Sequence, residues 1–136
     1  MKKIICLLLI TYSFISCSTD NTPPQNSTLQ GKWNWVLTTG GIDGATTTPQ
    51  STGKSIKLEI TNTRIKESVN GVLVYESNYS IVISNSIYGG KQKIISYGNS
   101  PKKSFYLTNS NNQLILKDEC YDCYQKTYIK EAIGSN

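Results

Sequence analysis

Few side chains in this sequence could do chemistry. Histidine is absent from all 136 positions, which removes the commonest general base and the commonest metal ligand together. The densest gathering of reactive groups is Asp118-Glu119-Cys120-Tyr121-Asp122-Cys123. Cys120 and Cys123 admit three readings: a redox pair, half of a zinc site, or a disulfide clamping the loop between the last two strands. A zinc site takes about four thiolate, imidazole or carboxylate ligands, and a chain with no histidine and no further cysteine near its end cannot supply the preferred set. A thioredoxin-like pair sits at a helix start in a βαβ unit, a pattern missing around these residues. The expected outcome is a structural disulfide, with a reduced pair as the alternative. Asp118, Glu119 and Asp122 offer oxygen to calcium, but they lack the regular spacing of a calcium loop, so they read as a solvated turn. No cofactor and no metal are expected, and the chain is not read as an enzyme.

Cys17 points to a different chemistry. Lys2 and Lys3 precede an apolar run from Ile4 to Ile10, with Phe14, Ile15 and the small residue Ser16 following; this is the layout of a secretory signal. The run is too short to span a bilayer, which takes about 20 apolar residues. Phe14-Ile15-Ser16-Cys17 resembles a bacterial lipobox, departing from it at Phe14, where leucine is usual. That resemblance implies cleavage before Cys17 and a lipid attached to it, the membrane being its first partner; the plainer alternative is a signal peptide with an incidental cysteine. Ser18 to Leu29 is almost wholly Ser, Thr, Asp, Asn, Pro and Gln, a composition that buries too little apolar surface to fold and serves as a tether. The expected organisation is a signal over 1–16, a lipidated cysteine and tether over 17–29, and one folded domain over 30–133. Ser18 lacks the aspartate that holds some lipoproteins at the inner membrane. The outer membrane is therefore the expected location, with the domain facing either the periplasm or the outside.

Charge excludes one class of partner. The net charge is +5, but without Lys2 and Lys3 twelve basic residues face nine acidic ones, leaving +3. No helical face gathers them, so nucleic acid is not an expected partner.

The folded part must therefore be read from its periodicity. Apolar residues recur in short alternating runs separated by turn chemistry, with no sustained period of 3.6. Trp33, Trp35 and Leu37 share one parity, as do Ile56, Leu58 and Ile60; Asn70-Gly71 between Arg64–Val69 and Val72–Glu76 is the strongest hairpin signal, because both residues tolerate positive φ. Tyr79 to Ile83, Lys91 to Tyr97, Ser104 to Thr108, Gln113 to Lys117 and Tyr124 to Ile133 follow as further strands. Eight or nine strands in sequential hairpins predict an all-β, antiparallel up-and-down barrel of about eight strands, since closure removes exposed edges. The stretch from Thr39 to Gly53 is read as the one long loop and the candidate lid, and no interior helix is expected.

At Gly31-Lys32-Trp33 the sequence resembles the Gly-x-Trp signature on the first strand of lipocalins. With Thr39-Gly40-Gly41-Ile42, Thr48-Pro49 and Ser51-Thr52-Gly53, it is similar to the lipocalin-like domain of small lipoproteins of Gram-negative bacteria. The resemblance covers most of Leu29 to Ile129. It implies a barrel whose floor is closed by Trp33, with Lys130 standing where the family carries an arginine, and a cavity for a small apolar ligand. If Trp33 faces inward, strand parity makes Trp35, Leu37, Leu58, Ile81, Tyr97, Phe105 and Leu107 the ligand-cavity candidates. Two functions are expected from this: a lipid-anchored envelope protein that binds or carries a small hydrophobic ligand without catalysis, or a filled barrel that contacts or inhibits an envelope protein. An interior of this size is just wide enough for either.

Overall fold

The computed structural model describes residues 28–132, so residues 1–27, with Cys17 and nearly all of the tether, and residues 133–136 lie outside the described residues. Alternating side chains build nine strands: β1 (Gly31–Gly40), β2 (Ala45–Thr47), β3 (Ile56–Ile60), β4 (Arg64–Val69), β5 (Val72–Asn85), β6 (Lys91–Tyr97), β7 (Lys103–Thr108), β8 (Gln113–Asp118) and β9 (Tyr124–Lys130). From β3 to β9 each strand pairs antiparallel with the next, and β1 pairs with both β3 and β9. Eight strands thus close an up-and-down barrel, as the hairpin rhythm predicts, while β2 lies against the second half of β1 outside the closure. Asn70 and Gly71 turn β4 into β5 with φ of 51° and 82°, the left-handed pair that a tight hairpin needs.

Two local readings change. Thr39–Gly53 is not a long loop: β1 runs on to Gly40, turns into β2, and is followed by the short helix α1 (Pro49–Thr52). Thr48 and Ser51 cap that helix reciprocally, with Pro49 in its first turn and Gly53 closing it, so capping chemistry orders a stretch that carries no apolar pattern. Val72–Glu76 and Tyr79–Ile83 are one strand, β5, because Ser77 and Asn78 simply continue the ladder to β4.

The interior is filled with side chains. Trp33, Ile65, Ile95 and Leu114 are fully buried, and Leu29, Leu58, Ile60, Leu116 and Tyr128 almost so. At the floor the Trp33 indole N–H donates to the carbonyl of Leu29 at 2.9 Å. Lys130 Nζ lies 5.1 Å from the Trp33 ring centroid and donates to the carbonyl of Thr28 at 3.2 Å. The lysine thus serves as a cation over the tryptophan face and also pins the incoming chain there.

Candidate functional site

Register decides which side chains enter the barrel. Glu67 lies between Leu58 and Tyr75, and Lys126 lies beside Leu116, so both face inward above the apolar floor. Lys126 Nζ reaches the Glu67 carboxylate at 3.9 Å. Lys103 and Asp118, opposite each other on β7 and β8, form a second ion pair in the same half. Tyr97 and Tyr128 are pushed above the usual tyrosine range, first by burial and then by the charge of Glu67. They therefore remain protonated at neutral pH. Each of these interior carboxylates is matched by a lysine. The hydroxyl of Tyr75 is buried there without a hydrogen-bond partner, hard against Gly98, whose missing Cβ leaves the room it occupies.

The residues read as cavity candidates mostly pack this core. Trp35, Leu58, Tyr97 and Phe105 are buried members of it, with Ile81 and Leu107 half-buried against it. Leu37 is a correction. A bulge between Trp35 and Leu37 sets Trp35 opposite Tyr128 but Leu37 opposite Thr127, so the parity flips and Leu37 faces outward. Thr38 takes the inward position and accepts from the Trp35 indole N–H at 2.8 Å. Cys120 and Cys123 are joined, with sulfurs 2.03 Å apart. Asp118 lies close to those sulfurs, but a disulfide has no thiolate to offer a metal.

The wall departs from regularity at one seam. β5 and β6 stay paired from Tyr79–Tyr97 to Asn85–Lys91, whereas β6 meets β7 only at Ile94–Ser104 and Ile95–Lys103. Beyond those pairs the β5–β6 hairpin curls outward, leaving Ile83 71% exposed although its parity is inward. Its tip docks on the outside of β8 and the following loop. The Glu119 carboxylate accepts from Ser86 Oγ and the Ile87 N–H, both at 2.9 Å. The Tyr88 hydroxyl donates to the carbonyl of Cys120 at 2.6 Å, while Lys117 Nζ sits 3.3 Å from the Tyr88 ring centroid. Burial would raise the Glu119 pKa, but the bonds from Ile87, Ser104 and Ser86 and the nearby Lys117 prevail and hold it below its ordinary value. The acidic turn is therefore a latch for this flap.

Between the flap and β7 lies a cleft of about 470 Å³. Thr28 and Leu29 line it from the entering chain, Gln92 and Lys93 from β6, and Phe105, Tyr106 and Leu107 from β7. Its walls are two strand edges. Among the described residues no main chain pairs with β6 below Ile94 or with β7 beyond Ser104 on the sides that face each other.

No family model, no curated protein and no solved structure matches the chain. Sequence parity contained the signal for the interior charges, because Glu67 stands two residues from the buried Ile65 and Lys126 two from Tyr128. The seam carried no such signal. Lys91–Tyr97 and Lys103–Thr108 alternate like any paired strands, and what separates them is a contact between residues far apart in sequence.

Proposed function

We propose that the chain is a lipid-anchored, non-catalytic module of the cell envelope, held at the outer membrane through acylated Cys17, whose filled, lipocalin-like barrel engages another envelope protein. The observation that carries this reading is the packed interior. Trp33, Ile65, Ile95 and Leu114 fill the space that a carried ligand would need, and two matched ion pairs occupy the opposite half. A small apolar ligand keeps one observation in its favour, the seam cleft with Leu29, Phe105 and Leu107, whose volume lies within the range of small-molecule sites.

The two halves of the proposal are tested separately. Cells fed an alkyne-bearing palmitate should label the wild-type protein and fail to label Cys17→Ala. Titrating palmitate into protein that begins at Ser18 should leave the Trp33 and Trp35 fluorescence unchanged; a saturable change would favour a ligand carrier instead.

A further inference from the structure

We infer that the β6–β7 seam is a strand-accepting site, which takes an extended peptide carrying acidic residues as an added strand. The inference rests on the interaction-module reading and names its contact surface. Both walls of the cleft are strand edges, one on the flap at Gln92 and Lys93, with Lys91 just beyond it, and the other on β7 from Phe105 to Leu107. A strand paired on one side presents alternate N–H and C=O groups on the other. An acyl chain in the cleft would take those groups out of water and return no hydrogen bonds. A polypeptide returns both donors and acceptors, and it can set alternate side chains against Phe105 and Leu107.

Charge complements this geometry. Lys91 and Lys93 are exposed on the β6 edge, and none of the described ion pairs involves either of them. Two acidic residues near the flap are engaged elsewhere, Glu119 with Ser86 and Ile87 and Asp118 with Lys103. The partner strand should therefore place carboxylates beside the two lysines. The chain's own preceding segment is a poor occupant: Pro23-Pro24 lacks two successive N–H donors, and Ser18 to Ser27 holds no apolar side chain larger than proline.

The test uses the full chain in phosphatidylcholine nanodiscs, with eight-residue peptides selected on it from a randomised library. Selected peptides should carry apolar residues and Asp or Glu together on one face, two residues apart, because Lys91, Lys93, Phe105 and Leu107 share one parity. Binding should weaken about tenfold or more when alternate peptide amides are N-methylated, because each lost ladder bond is worth about that factor. Lys91→Glu combined with Lys93→Glu, two exposed changes that leave the core intact, should weaken it comparably. Amide protection on binding should appear at Lys91–Lys93 and Phe105–Thr108 together. Failure to select any peptide above the level of the double lysine variant overturns the inference, as does binding indifferent to N-methylation. Protection at any other place, or labelling of the Phe105–Leu107 segment by a photoactivatable palmitate, also overturns it. A partner that binds the barrel away from the seam would refute the strand site while leaving the interaction-module reading standing; absence of palmitate labelling of the wild-type protein would count against the lipid anchor alone.

Discussion

The β9–β1 wall and the β6–β7 seam are built from the same kind of strand, yet they end in opposite states. Across the first, pairing runs from Trp33–Lys130 to Gly40–Tyr124 and survives a bulge. Across the second it stops after two adjacent positions. Strand propensity does not separate them. At the wall, Trp33, Trp35 and Tyr128 bury large rings on the inner face, so parting the strands would expose all three. At the seam, the hairpin tip gains more elsewhere: a carboxylate to the Ser86 hydroxyl and Ile87 N–H, carbonyls for the Tyr88 hydroxyl, and Lys117 over the Tyr88 ring. A barrel can thus keep one edge open at little cost when a latch outside the wall holds the departing hairpin.

The largest expected effect breaks the closed side. Trp33→Ala removes the fully buried floor ring, its bond to Leu29 and the face beneath Lys130, and should cost about 3–5 kcal/mol in urea unfolding. Substitution on the open side should act locally. Replacing both Cys120 and Cys123 with serine opens a very short loop, so the global loss should stay within about 2 kcal/mol, with the faster exchange concentrated at the flap tip that the loop holds. Glu119→Ala should free the same tip at a local cost of about 1.5 kcal/mol, read as roughly tenfold faster exchange of the Ile87 amide with β1 and β9 unchanged.

Acid should act on the same contact. The Glu119 carboxyl sits below its ordinary 4.5 in the folded protein, so the stability it lends is fully present above that value and is lost as pH falls through the lowered one. Protection of Ile87 should therefore hold from neutral pH down to about 4.5 and decline below it. The smallest effect should be at Tyr75, whose buried hydroxyl has no partner. Tyr75→Phe should be neutral or stabilising by up to about 1 kcal/mol, whereas a hydroxyl with a hidden role would make the change costly.

How far these two regions could be read from sequence follows from the range of the forces that make them. Period-two alternation and Asn70-Gly71 act over a few residues, so strand number, hairpin order and the inward set Trp33, Trp35, Leu58 and Phe105 were legible. Leu37 was misplaced because a single inserted residue reverses parity without any mark in composition. Thr39–Gly53 looks like a loop in the sequence because its order comes from caps and a short hairpin rather than from buried apolar residues. The seam was illegible because Glu119 and Ser86, 33 residues apart, decide it by tertiary contact.

Hydrogen exchange resolved to single amides tests the contrast most directly. On this account the amides of Phe105–Thr108 that face the flap exchange at least a hundredfold faster than those of β1 paired with β9, since an unpaired edge opens without unfolding the barrel. Uniform slow exchange around all eight strands would show that β6 and β7 are zipped in solution, and would contradict the open seam on which the strand-accepting site depends.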